Sequence, residues 1–437
     1  MRKGKPLPKR RLGLATAIAA LLSGLSAPAL AVRVDYTIDA GIEHNDNVGL
    51  VEEDPISQNI LRTGLGFLVL QEGDSVRAEL DGRMEYRNYP ERFSDQLEGT
   101  LDGHLDWMMV PRRLAFSVDD SLSVQPVNAL VPDAPGNRQQ INVFSAGPTL
   151  LLGSGGVTSG AVELRYIRSD AEETEEFNSD RVHLGVTASR QLAPTRTASV
   201  TVQAQEVDFD EPALSDYQRR DAFVSHTRQN ARLGMSVDLG YSQLDYQDRP
   251  DRSAPLLRAE LTWQASARSR FALIGWNQYS DTASAALYAI DAGVEVPDML
   301  PVGSVVVGAS QYKEQRVTLE YGFDGARTDF SVAPYVYRAR YVEDDEFDQD
   351  GHGVRIDLSR HLTSTLDLGA FVDHEQIDYR TLVRDVRMQR AGLFLQKDFS
   401  RHWHLRLDWE GYRHQTEPLG RDIDRNTVYL SIVYSNR

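Results

Sequence analysis

What most constrains this chain is a period of two that runs from Val32 almost to its last residue. Val34, Tyr36, Ile38, Ala40 and Ile42 are separated by Arg33, Asp35, Thr37, Asp39 and Gly41. Leu101, Gly103, Leu105 and Trp107 alternate with Thr100, Asp102, His104 and Asp106, and Val428, Leu430, Ile432 and Tyr434 repeat the pattern near the C-terminus. Successive side chains of an extended strand point to opposite faces, so each set lies on one side of a sheet. No helical stripe at i, i+3, i+4 is sustained; the alanine-rich run 282–290 is the one candidate for a short helix.

The connections follow a rule of their own. Tight turns fall at 72–74, 110–112, 153–156, 192–195, 228–230, 266–268, 324–327, 361–364 and 399–402. Longer polar loops lie between them at 45–57, 88–96, 125–137, 168–180, 208–216, 245–254, 280–302, 342–350, 375–385 and 414–425. This gives about 20 strands, within bounds of about 18 to 22, each roughly 10–14 residues long, enough for a tilted strand to cross a bilayer. The stretch 303–323 reads either as one long strand or as a short extra pair. A sandwich would show irregular crossovers and a propeller a blade repeat of ~40 residues, and the sequence has neither.

The expected fold is therefore all-β: a closed antiparallel up-and-down transmembrane β-barrel over residues 32–437, with short periplasmic turns and long extracellular loops. Composition does not oppose it. Only 41% of the 437 residues are hydrophobic, and no later segment has the ~18 consecutive apolar residues of a spanning helix. A barrel needs an apolar residue only at every second strand position. Tryptophans near the turns (Trp107, Trp263, Trp403) and tyrosines at the other strand ends (Tyr86, Tyr89, Tyr241, Tyr246, Tyr279) fit interfacial girdles.

Residues 1–31 read as a signal peptide. Arg2, Lys3, Lys5, Lys9, Arg10 and Arg11 precede a short apolar run, and Ala29-Leu30-Ala31 is a small-x-small site for cleavage after Ala31. Removing those cations makes the mature chain more acidic than the −17 of the whole. An exported acidic chain argues against nucleic acid as a partner. With no Cys there is no disulfide framework and no thiolate chemistry. The expected location is the bacterial outer membrane, with its lipid and lipopolysaccharide as partners.

If the apolar face meets lipid, the other face lines a polar lumen. On one strand that lining is Arg77, Glu79, Asp81, Arg83, Glu85 and Arg87; Asp102 and His104 follow on the next, and Arg406 and Asp408 lie near the C-terminus. Mixed signs on neighbouring strands favour cross-strand ion pairs. The longest loop, between Tyr279 and Val305, is the candidate to fold inward and constrict the lumen.

Signals for chemistry are weak. Glu346-Phe347-Asp348-Gln349-Asp350-Gly351 resembles the first half of a calcium loop, but Glu stands in the first ligand position and Asp357 in the twelfth. Val354, Ile356 and Leu358 already alternate as a strand there, so a plain connection is the expectation. Acidic loops such as Glu52-Glu53-Asp54 read as solvated surface. Gly73-Asp74-Ser75 sits in a tight turn, and His402 and His404 lack a third metal ligand. No metal, cofactor or enzymatic activity is expected.

Three short stretches carry a family resemblance: Tyr36 and Gly41 followed by Asn45-Asp46-Asn47-Val48, the segment 142–148, and the turn Gly325-Ala326-Arg327-Thr328. Together they resemble the outer-membrane β-barrel porin family of exopolysaccharide and PEP-CTERM-associated loci, along most of the mature chain. The resemblance implies export or secretion of exopolysaccharide through an aqueous lumen, with polysaccharide and export machinery as partners. It supplies no catalytic residues. Many outer-membrane proteins end in an aromatic residue, whereas here Tyr434 is followed by Ser435-Asn436-Arg437. A surface scaffold that transports nothing and a general diffusion porin are the alternatives.

Overall fold

The computed structural model describes residues 32–291 and 307–437; the signal peptide expected at 1–31 lies outside them. The first ten strands are β1 (Arg33–Asn45), β2 (Gln58–Glu72), β3 (Val76–Asn88), β4 (Gln96–Val110), β5 (Leu114–Pro126), β6 (Arg138–Leu152), β7 (Thr158–Ala171), β8 (Ser179–Ala193), β9 (Arg196–Phe209) and β10 (Tyr217–Gln229). The second ten are β11 (Leu233–Tyr246), β12 (Arg252–Gln264), β13 (Ser269–Ser280), β14 (Tyr312–Asp324), β15 (Thr328–Tyr341), β16 (Gln349–Thr363), β17 (Leu366–Tyr379), β18 (Arg384–Asp398), β19 (Trp403–Glu417) and β20 (Arg421–Ser435). They form one 20-stranded sheet. It closes where β1 pairs antiparallel with β20, Thr37 opposite Ser435 and Asn45 opposite Thr427. Closure leaves no unpaired edge, the condition a sheet must meet to stand in hydrocarbon. Of the ambiguous stretch 303–323, residues 303–306 lie outside the described residues, and the remainder holds one strand, β14, from Tyr312.

The exposure pattern is inverted relative to a water-soluble protein. On β1, Ile38 and Ile42 are 49% and 60% exposed, while Asp39 and Glu43 are 6% and 5% exposed. Leu184, Leu239, Leu393 and Leu430 continue the apolar outer wall around the barrel. Such a wall is stable only against lipid, where it saves about 25 cal/mol for each Å² withheld from water. The chain is thus an outer-membrane β-barrel, with its short turns in the periplasm and its longer loops outside.

Trp263, Trp403, Tyr86 and Tyr241 are exposed on the outer wall, as a girdle requires. Tyr89, Tyr246 and Tyr279 differ from expectation: they are buried in small apolar clusters at the extracellular end. Several of the long loops are also shorter than the sequence suggests, most of all 380–383 and 418–420. The strands there rise above the apolar wall, with Gln376 opposite Arg387 and Gln415 opposite Asp422. A strand wet on both faces carries polar residues at every position, so its alternation fades and it reads as loop.

Candidate functional site

All ten residues expected along the lumen lie on the inward parity of their strands. Their alternating neighbours, Met84 and Tyr86 on β3, Leu97 on β4, Leu407 and Trp409 on β19, are exposed on the outer wall. The upper β3 residues join a network that sequence reading did not assemble. Arg62 on β2 donates to Glu43 at 2.6 Å and to Glu85 at 2.8 Å. Arg83 reaches Asp39 at 2.9 Å, and Arg87 donates to Glu85 at 2.5 Å. From β20 the Tyr429 hydroxyl donates to Asp39 at 3.0 Å, and its ring lies 4.3 Å beneath the Arg62 guanidinium. The closing seam β20–β1–β2–β3 is therefore stitched from inside. The charges of β1 and β3 are visible in the alternation; which of them meet Arg62 and Tyr429 depends on strand register, which alternation does not carry.

Elsewhere the inner wall is paired in smaller units. His104 lies between Asp119 (2.6 Å) and Asp106 (3.1 Å), and Asp102 accepts from Ser121 at 3.3 Å. Arg406 pairs with Asp408 at 2.9 Å and covers the Phe394 ring at 4.4 Å. Arg77 and Glu79, nearer the periplasm, are exposed on the inner wall, with their Cα atoms opposite Asp106 and His104.

The barrel mouth is crossed by two segments. The first follows β13, where the chain turns inward and forms α1 (Thr282–Asp291), at the run read as a helix candidate. Asp281 accepts from the Ser284 backbone N–H at 3.0 Å and from its hydroxyl at 2.9 Å, an N-cap arrangement. The same carboxylate accepts from Arg181 of β8 at 2.8 Å and from the Tyr217 hydroxyl of β10 at 3.3 Å. Burial alone would raise its pKa, but Arg181 and the two Ser284 donors hold it below the usual carboxylate range. Ala283 then packs on Ile141 and Val143 of β6 and Ile167 of β7, with Phe177 and Val307 completing the cluster. Ile141, Val143 and Ile167 are apolar residues on the inward parity of their strands, which water alone would disfavour; they are the docking face for α1.

The second segment is the loop 127–137. Asn137 braces it, its amide donating to the carbonyls of Asn128, Val131 and Pro132 at 2.9–3.2 Å. The loop reaches the far wall: Leu130 packs on Ile377, Tyr379 and Val386, and its carbonyl accepts from Arg384 of β18 at 2.7 Å. Leu130, Val131 and Pro132 face Arg384, His414 and Ile423 across a cleft of about 150 Å³.

The segment that resembles a calcium loop is no ion cradle. Residues 345–347 make one 3-10 turn, and Asp350 already belongs to β16. Its carboxylate accepts from Arg338 at 2.8 Å, Arg340 at 2.6 Å and Arg380 at 2.7 Å. Among the described residues no group of three His, Asp or Glu side chains is placed to hold a metal.

No family model matches the chain, and no curated protein matches it. Among solved structures it is similar to the ferric enterobactin receptor of Pseudomonas aeruginosa: 11% identity, TM-score 0.46, 94% of this chain and 81% of that one. It is also similar to OccK5 (OpdH) of the same organism: 10% identity, TM-score 0.39, covering 93% and 98%. The FrpB iron transporter of Neisseria meningitidis shows 9% identity and a TM-score of 0.46, covering 95% and 82%. The likeness is one of barrel fold alone. Nothing about cargo follows from it.

Proposed function

We propose that this protein is an outer-membrane diffusion channel for a restricted class of hydrophilic solutes, non-enzymatic, with its passage narrowed at the mouth by α1 and the loop 127–137. The observation that carries this reading is the fixing of α1 across the mouth by Asp281, Arg181 and Tyr217. A barrel of this strand number has room for an aqueous channel unless chain folds inside it. Here two segments fold inward and are held by specific contacts, which suits selection better than unrestricted diffusion. The ten lumen residues Arg77, Glu79, Asp81, Arg83, Glu85, Arg87, Asp102, His104, Arg406 and Asp408 would then set the field a solute meets.

The narrower reading is carbohydrate export. It is favoured by the resemblance to barrels of exopolysaccharide loci and by one stretch of inner wall. There Arg316 lies 5.8, 5.2 and 5.0 Å from the rings of Trp276, Tyr335 and Tyr337. Tyr337 is buried, but Trp276 and Tyr335 are partly exposed beside the Arg316 donors, a combination of apolar ring and polar group that suits sugar rings. Lipopolysaccharide and an export machine would be the partners of such a channel.

The test is single-channel conductance of the refolded protein in planar bilayers, with and without oligosaccharides. Stable conductance that oligosaccharides block supports the export reading. Conductance that sugars leave unchanged supports a porin for other solutes. A correctly inserted but silent barrel overturns both and leaves a surface scaffold.

A further inference from the structure

The whole chain is acidic, with a formal charge of −17, yet on half of its periplasmic rim every charged residue is basic. The β4–β5 turn carries Arg112 and Arg113, and the β8–β9 turn is flanked by Arg190 and Arg196. Arg228 and Arg232 flank the β10–β11 turn, and Arg268 closes the β12–β13 turn with Arg270 just beyond it. Across 107–118, 151–162, 187–202, 225–237 and 261–275, the segments that build this side of the rim, there is no Asp or Glu. All of these arginines but the half-buried Arg228 are exposed, and none forms an ion pair among the described residues.

The extracellular end is built the opposite way. Arg168 there is tied to Asp170, Asp180 and Asp210, and Arg338 and Arg380 to Asp350. The basic arc is thus not a general habit of this wall. It also contains a strand pairing that the protein alone leaves unfavourable. Arg196 and Arg228 are directly opposite in the β9–β10 ladder, and like charges so placed repel. Both belong to the outward parity of their strands, below the exposed Val200, Val202 and Val224. Leu192 is 57% exposed between Arg190 and Arg196, and Trp263 is 50% exposed just before the β12–β13 turn.

We propose that this arc binds the phosphate headgroups of anionic phospholipids in the periplasmic leaflet. The interleaved Leu192 and Trp263 place it at the boundary between acyl chains and headgroups, where long basic side chains extend toward the interface. A phosphate between Arg196 and Arg228 turns a repulsive pair into two charge-assisted hydrogen bonds. The lipid is recognised by its net negative charge, so phosphatidylglycerol fits the site and zwitterionic phosphatidylcholine does not. This holds whatever passes through the lumen.

The test is native mass spectrometry of the refolded protein released from nanodiscs containing both lipids. The expected result is retention of phosphatidylglycerol over phosphatidylcholine by on the order of tenfold, weakening at high salt. The combined variant Arg190→Gln, Arg196→Gln and Arg228→Gln should lose most of that preference. The extracellular control Arg338→Gln with Arg380→Gln should keep it. Heat-modifiable gel mobility confirms that each variant is a closed barrel. Equal retention of the two lipids, or an unchanged preference in the triple variant, overturns the proposal. So does selective binding of soluble polyglutamate to the arc without lipid selectivity, which would assign it to a soluble acidic partner.

Discussion

Arg181 and Asp281, 100 residues apart in the chain, meet at 2.8 Å with only 3% and 6% of their side chains exposed. One partner belongs to the barrel wall and the other caps α1, so this contact ties the start of the inserted helix to the wall. Breaking a buried pair from one side leaves an uncompensated charge and costs about 3–5 kcal/mol. Asp281→Ala should therefore release α1 without opening the barrel. The expected readout is faster hydrogen exchange over 282–287 and larger, noisier single-channel currents. Unchanged exchange would show that the Ala283 cluster holds the helix unaided.

The same carboxylate gives α1 a definite response to acid. Its pKa is lowered in the folded protein, so its contribution is complete above the ordinary carboxylate value of about 3.9 and is lost as pH falls through the lower folded value. Docking of α1 should thus be indifferent to pH between neutral and about 5, and should fail only in stronger acid. Channel currents recorded down a pH series, wild type against Asp281→Asn, test this: a transition near neutral pH would contradict it.

Arg384 and Asn137 hold the other crossing segment. Arg384→Ala removes the donor to the Leu130 carbonyl, and Asn137→Ala removes three donations within the loop. Each lost net hydrogen bond is worth about 1 kcal/mol, so the loop should loosen while the barrel remains. Limited proteolysis should then cut within 127–137 in both variants and more slowly in the wild type.

The inner and outer walls should answer very differently to charge. Ile42→Arg places a guanidinium on the lipid side, between Leu61 and Leu430, where the cost runs from about 1 kcal/mol near an interface to about 2–4 kcal/mol at the bilayer midplane. Urea titration in vesicles should show that loss. Arg77→Glu, on the inner wall, should leave stability almost unchanged and move the reversal potential in a salt gradient toward cation preference.

The strand count, the inward face and even the helix at 282–290 could be read locally, because each is written into residues a few positions apart. The parity that exposes Ile38 and Ile42 is the same parity that hides Asp39 and Glu43. The seam network, the Arg181–Asp281 pair and the reach of Leu130 to Ile377 could not be read this way. Each joins residues whose proximity is fixed only when the sheet closes and its register is set. The segment 346–351 divides the same way: the strand alternation that argues against a calcium loop is local, but the three arginines that converge on Asp350 come from β15 and from just beyond the end of β17.

The pairing of β1 with β20 bears on biogenesis. Until the last strand arrives, β1 and β19 each present a row of unsatisfied amides that hydrocarbon will not accept and that other chains will readily extend. A half-made chain therefore has no resting place in the bilayer, and its alternating stretches are hazards in water. Export must deliver the whole polypeptide before any of it is stable. Arg62, Asp39 and Tyr429, which couple the first two strands to the last, act as a check that the circle is complete.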